Sequence, residues 1–258
     1  MPLSNNHIRF ENAEIWTPSG ARSVRGHHEA YDEHRLCDHF HRAGCPAISV
    51  GRVPNPESYS NDGMTEGYID VYRLPIKTSG SNEYRIPAEL ARYADTVKLI
   101  AEDQHARSPA ALFKHAVLYV TRSFVPRNSF QRTPSWHRDD GESVGARLQC
   151  DKPVSLNVPV HVYVASDIVP TQVQSQPVRN AYSLFGHPHG NQAEQQQSSR
   201  LLDPYEIVLM NNYVWHRGTL AAEGTMRNFL SVMYLPTEAV EQGIAKGHFR
   251  AQTRGFDL

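Results

Sequence analysis

Cysteine is scarce in this chain. Its 258 residues hold 3, Cys37, Cys45 and Cys150, odd in number and with no CxxC pair, so they build no disulfide framework. A reducing, cytoplasmic setting is the simpler expectation. Long apolar runs are missing too. No stretch approaches the ~18 consecutive apolar residues of a membrane helix. The opening MPLSNNHIRF lacks the apolar core of a secretory signal, so no membrane partner is expected. Nor is there an excess charge of either sign: Lys plus Arg is 26 and Asp plus Glu is 27. A near-neutral chain lacks the broad basic footprint of a nucleic-acid binder, and nucleic acid is not an expected partner.

What the chain does have is histidine, 14 of them. Imidazole is the commonest metal ligand and a frequent acid or base, so the question is which of them sit at ligand spacing. The length suits one large domain, since a chain of this size buries roughly three quarters of its unfolded surface without staples. The expectation is one domain over 1–258: a helical and mixed part over 1–114, a strand-rich core over 115–236 and a tail over 237–258.

Periodicity fills in these parts. HHEAYDEHRLCDHFHRAG reads as a helix over 29–43, stopped by Gly44 and Pro46. A short strand is expected over 47–53, another over 68–76, and an amphipathic helix over 89–104 with Leu90, Tyr93, Val97 and Ile100 on one face. From 115 the texture turns to strands, at 115–126, 207–210 and 227–235. The cleanest alternation lies at 153–165, with six apolar residues from Val154 to Val164 on one face and Ser155, Asn157, His161 and Tyr163 on the other. That spacing predicts a half-buried antiparallel strand, or two joined by a bulge at Pro159. A loop is expected over 186–200 and a short helix over 237–246. Helices first and then strands without helices between them disfavour a doubly wound fold. They favour α+β, with an antiparallel sandwich or barrel in the C-terminal half.

Three pieces carry chemistry. SWHRDDG places His137 and Asp139 two apart, on one face if the segment is extended. VLMNNYVWHRG places His216 just past a strand, and TMRNFLSV begins a strand at Arg227, with Phe229 and Ser231 on its face. Two histidines and one carboxylate are the facial triad of non-haem iron: imidazole suits Fe(II), and the carboxylate offsets part of its charge. Three protein ligands leave three positions for substrate and oxygen. A buried arginine offers a permanent, bidentate fork for a carboxylate. Arg122, Asn128, Gln131 and Asn157 are candidate inward polar groups near a cofactor or substrate. Trp136 and Trp215, each preceding a proposed ligand, are expected to pack behind it.

The HRD triplet, a distal histidine after strand-rich sequence and an arginine eleven residues later resemble the Fe(II)/2-oxoglutarate-dependent dioxygenase superfamily over about 115–236. The ending DPYEIVLMNNYVWHRGTLA…RNFLSVMYLP is similar to that of dioxygenases acting on free amino acids and of related natural-product oxygenases. The resemblance implies a double-stranded β-helix (jelly-roll) core with the N-terminal helices packed on it. It implies Fe(II) held by His137, Asp139 and His216. It also implies 2-oxoglutarate as cosubstrate with O2, its distal carboxylate on Arg227 and Ser231 nearby. The implied reaction is oxidation of an unactivated C–H bond in a small polar substrate, such as an amino acid or biosynthetic intermediate, giving succinate and CO2; hydroxylation is the first expectation, with cyclisation and desaturation as alternatives. Asp139 argues against the halogenase branch, where the carboxylate is missing.

Plainer readings stand beside these. RDDG is good turn chemistry, a histidine can simply close a strand, and an arginine can ride on a sheet surface. His34, Asp38 and His41 on the N-terminal helix are at ligand spacing but read first as a solvated face, and HPH at 187–189 reads as loop. Two alternatives in function remain: an iron oxygenase of the same fold that uses no 2-oxoglutarate, and a non-enzymatic β-sandwich binding protein. The same chemistry on nucleic acid or protein is a further variant. Oligomeric state is not legible.

Overall fold

A computed structural model describes residues 3–4, 8–19, 47–60, 68–107, 114–130, 133–138, 161–186, 190–211 and 214–237. The expected helices at 29–43 and 237–246, the Pro159 bulge, the His34 cluster and the HPH motif lie outside these residues, as do Asp139, Gln131 and Asn157. In chain order the elements are β1 (Leu3–Ser4), β2 (Glu14–Trp16), β3 (Ile48–Arg52), α1 (Glu57–Ser60), β4 (Ile69–Lys77) and β5 (Tyr84–Ile86). A 3-10 turn (Ala88–Tyr93) then leads into α2 (Ala94–Arg107), β6 (Lys114–Val125), β7 (His161–Ser166) and β8 (Gln172–Gln174). The rest are α3 (Ala181–Phe185), α4 (Gln192–Gln197), β9 (Ser199–Leu201), β10 (Glu206–Asn211), β11 (His216–Arg217) and β12 (Thr225–Pro236). Among the described residues no helix is long and apolar enough to cross a membrane.

The fold is mixed and strand-rich. A seven-stranded sheet runs β1-β4-β6-β12-β7-β10-β3, a three-stranded sheet runs β11-β8-β9, and β2 pairs β5. All pairings are antiparallel except β1 with β4. β6 and β12 are rich in β-branched and aromatic residues, which suit a pleated, buried surface. They pair without a slip from Thr225↔Val125 to Pro236↔Lys114. β12 also pairs β7, from Phe229↔Ser166 to Tyr234↔His161, so it lies inside the sheet, and its two faces are both buried.

The 3-10 turn and α2 lie over one of those faces, burying Leu90, Tyr93, Val97, Ile100 and Ala101 in the core with Leu230, Val232 and Tyr234. This helix corrects two expectations. It starts as a 3-10 turn, and its inner side includes polar residues: Tyr163 donates to Asp103 Oδ2 (2.9 Å), and His161 Nδ1 lies 2.8 Å from Gln104 Oε1. With α2 covering His161 and Tyr163, the described part of the alternating segment is buried on both faces, not half-buried.

The 186–200 segment also departs from the loop expected there. Asn191 caps α4 by accepting from Ala193 N (3.1 Å), and β9 follows directly. An Asn before QAEQQQ, a run of good helix formers, is the local cause. Gly190 sits so close to α3 that a Cβ there would lie 2.1 Å from the Leu184 carbonyl oxygen.

Candidate functional site

The site begins as a cross-strand pair. Residues 128–130 and 133–137 run against 216–221: Asn128 N donates to Ala221 O (2.8 Å), Ala221 N to Ser129 O (3.0 Å), and Gly218 N to Thr133 O (2.8 Å). At its end His137 and His216 exchange both backbone hydrogen bonds, at 3.0 and 2.9 Å. Residues directly opposed in an antiparallel pair share a face, and the two imidazole centroids stand 4.2 Å apart. β8 extends the row, with Val173 opposite His216 and Arg200 opposite Val173. Val173 is fully buried in the main core, so this row is turned inward. Arg200 forks onto Glu206 at the start of β10 with two bonds of 2.8 Å and ties the small sheet to the large one. Burial pushes the Glu206 carboxyl up, but the Arg200 fork and the Asp203 N–H hold it below its ordinary range.

The imidazoles are held in one tautomer. His137 Nδ1 lies 2.9 Å from Ser135 O, and His216 Nδ1 lies 3.1 Å from Val214 O. A carbonyl only accepts, so each Nδ1 carries the hydrogen, and the lone pair of the neutral ring is on Nε2. That is the orienting arrangement metal-ligating histidines use. Among the described residues no three His, Cys, Asp or Glu gather as a metal site. Asp139, the expected third ligand, lies outside them, two residues beyond His137.

The tryptophans pack on the other side of the small sheet, as expected. Trp136 lies against Phe185 (4.6 Å) and Phe185 against Trp215 (6.0 Å). These rings join Val178, Ala181 and Leu184 in a second core cluster. Each indole also carries a guanidinium from the opposite strand: Arg217 over Trp136 and Arg138 over Trp215, both at 5.0 Å. The two histidines are thus backed by an apolar layer.

Arg227, Phe229 and Ser231 share one face of β12, and all three are buried. Ser231 lies opposite Tyr119 and Val164. Arg227 is 1% exposed, so its charge must be met inside the protein. Its Nε donates to Ile168 O (2.9 Å), and its guanidinium carbon stands 4.9 Å over the Phe229 ring. Of the other polar candidates, Arg122 pairs with Asn228 and so lies on the opposite face of the sheet from Arg227. Asn128 sits in an exposed turn with φ +58°. Neither therefore lines the histidine side.

One turn, 167–170, joins the two halves of the site. Arg227 grips it at Ile168 O, and Thr219, three residues after His216, donates to Pro170 O (2.6 Å). Asp167 Oδ1 accepts from Ile168 N (2.7 Å) and Asn228 N (2.9 Å), and Asp167 Oδ2 accepts from Asn228 Nδ2 (2.7 Å). Burial pushes the Asp167 carboxyl up, against the pull of these donors and of Arg227. Val169 sits at φ +50°, a conformation that is strained for a β-branched residue. Sequence reasoning missed Asp167 and Thr219. Only the Asp-x-x-Pro spacing of 167–170 hinted at a turn, and nothing in it pointed to Arg227.

No protein-family model matches the chain, and no curated protein matches it by sequence. Its structure is similar to that of AviO1 from Streptomyces viridochromogenes Tue57, at 13% identity over 80% of this chain and 96% of that one, with a TM-score of 0.35. It is similar to EvdO2 from Micromonospora carbonacea var. aurantiaca, solved with 2-oxoglutarate, at 13% identity over 79% and 91%, with a TM-score of 0.31. It is also similar to an oxidoreductase of the 2OG-Fe(II) oxygenase family from Burkholderia pseudomallei, at 12% identity over 63% and 65%, with a TM-score of 0.30. At such scores the chemistry of the site rests on its own residues.

Proposed function

We propose that this chain is a non-haem Fe(II) and 2-oxoglutarate-dependent oxygenase, built as one domain in which the two larger sheets form a double-stranded β-helix. The observation that carries the reading is the His137–His216 pair: two half-buried imidazoles on directly opposed residues, each with Nδ1 against a carbonyl and its lone pair on Nε2. That donor chemistry fits a divalent transition metal, with Asp139 as the third ligand. Arg227, fully buried on a sheet face with Ser231, fits the distal carboxylate of 2-oxoglutarate, and Asn157 is a further polar contact. Bound there, iron and the keto acid would supply the electrons that activate O2 for attack on an unactivated C–H bond, with succinate and CO2 as coproducts.

The chain's own residues do the rest. The imidazoles and the Asp139 carboxylate fix the metal on one side and offset part of its charge. Arg227 orients the keto acid by its far end. Phe229 and Val164 share the Arg227 face of the large sheet with Ser123, Thr121 and Ser166, and the burial of Arg227 keeps water away, which strengthens the arginine's grip. The substrate is a small polar molecule such as an amino acid or a biosynthetic intermediate, and the outcome is hydroxylation.

One observation favours a second reading, an iron oxygenase of the same fold without 2-oxoglutarate. Arg227 already has protein partners in Ile168 O and Phe229, with the Asp167 charge nearby. Metal-free protein given Fe(II) and then 2-oxoglutarate without oxygen separates the two. A visible charge-transfer band in the wild type, absent in His216→Ala, is the expected result. Iron binding without the band points to the second reading, and no iron binding points to a non-enzymatic sandwich.

A further inference from the structure

We infer that Asp167 is the positioning residue of Arg227, acting through the Ile168 carbonyl; the inference rests on the reading of Arg227 as the anchor for the distal carboxylate of a keto acid. Asp167 is buried, 5% exposed, and touches neither the histidine pair nor any group assigned a chemical role. Its carboxylate holds both sides of a corner. On the turn it takes Ile168 N, and on β12 it takes the backbone and side-chain amides of Asn228. Asn228 is the residue after Arg227, and Ile168 supplies the oxygen that Arg227 Nε engages. The carboxylate therefore fixes both the root of the arginine side chain and the acceptor at its neck.

The turn would not keep this shape unaided. Val169 has φ +50° and precedes Pro170, and both conditions work against its backbone. Asp167 on one side and Thr219 on the other restrain it. Asn228 passes the restraint outward: its Nδ2 also donates to Tyr59 O (2.6 Å), and Tyr59 donates to Thr96 on α2 (3.1 Å). The turn is thus referenced to the helix side of the sheet as well as to the small sheet.

Two roles for Asp167 make opposite demands. If it acts by its charge on Arg227, an amide in its place fails. If it acts by position, an amide keeps the two backbone bonds, because both, from Ile168 and Asn228, end on the same oxygen, Oδ1, and it gives up only the third, where its NH2 would face the Asn228 Nδ2 donor. The carboxylate spends both oxygens on the turn and on Asn228, at 2.7–2.9 Å, which favours position.

The test measures binding to the Mn(II)-loaded full chain by calorimetry, with two ligands: 2-oxoglutarate, and 2-oxopentanoate, which has the same five-carbon chain without the distal carboxylate. Asp167→Ala is expected to weaken 2-oxoglutarate at least tenfold and 2-oxopentanoate less than twofold. Asp167→Asn is expected to stay within about threefold of the wild type for both. Unchanged 2-oxoglutarate affinity in Asp167→Ala overturns the inference. So does equal loss of both ligands, which marks a structural defect, and so does an Asn variant as damaged as the Ala one, which marks the charge or the Asn228 side-chain contact and not the two backbone bonds. A wild type that does not prefer 2-oxoglutarate to 2-oxopentanoate overturns the parent reading of Arg227 instead, and the inference falls with it.

Discussion

His137 and His216 are bound to each other through their backbones before any metal arrives: each donates its N–H to the other's carbonyl, at 3.0 and 2.9 Å. The spacing of the two rings is therefore set by a ladder and not by the ion. In a site of this kind, removing one imidazole does not move the other. His137→Ala and His216→Ala are each expected to abolish Fe(II) binding in equilibrium dialysis while leaving the circular dichroism spectrum and melting temperature close to wild type. Retained stoichiometric iron in either variant would show that the metal, if bound, sits elsewhere.

Arg227 is expected to act on the keto acid and not on the iron. Hydrogen bonds to charged groups contribute about 1.5–3 kcal/mol, and 1.4 kcal/mol is tenfold. Arg227→Ala should therefore raise the 2-oxoglutarate concentration for half-maximal succinate release by about 10–100-fold. Arg227→Lys, a point charge without the fork, should fall between. An unchanged requirement in Arg227→Ala means that 2-oxoglutarate is assigned wrongly.

Val169 offers a stability prediction of unusual sign. A strained φ/ψ position costs about 1–3 kcal/mol, and placing glycine there costs roughly 0.5–1 kcal/mol in unfolded-chain entropy. Val169→Gly should therefore stabilise the protein against urea by about 1 kcal/mol, although Val→Gly normally weakens a fold. A loss of stability in that variant would mean that the turn carries no strain.

His161 sets a pH dependence. Burial, with help from the charges of Lys114 and Arg107, pushes its imidazole down to about 3, below the unfolded value of about 6.5. The unfolded chain thus takes up this proton first, and stability falls as pH drops from about 6.5 towards 3. The slope from this one group approaches about 1.4 kcal/mol per pH unit. His161→Gln should flatten that limb in urea titrations at pH 7 and pH 4, and equal slopes for the two proteins would rule out a buried neutral His161.

The long strands were legible in the sequence because long runs with few charges, rich in apolar, β-branched and aromatic residues, leave little else to form. The expected boundaries of β6 and β12 fall within two residues of those in the structure at each end. The candidate site was legible as residue types at a spacing, and the structure brings His137 beside His216 and buries Arg227 with Ser231. The short strands were not legible. β8 and β9 have three residues each, and pairing with β11 holds them in place more than any local preference. The inward polar side of α2 was hidden for another reason. Asp103 and Gln104 look like solvent positions until Tyr163 and His161, some sixty residues later, supply their partners. Asp167 was invisible because its role is to hold backbone amides, which any sequence provides.

The place of β12 between β6 and β7 has a consequence for how the molecule is made. Both neighbours leave the ribosome well before β12 does, and β6 precedes it by about a hundred residues. Until β12 threads between them they have two unmatched edges, open to any passing strand. Closing so distant a pairing is slow because the intervening loop must first be gathered. The nascent chain therefore waits, exposed, for the strand that completes its sheet, and exposure to mispairing during synthesis belongs to this topology rather than to any weakness in the finished fold.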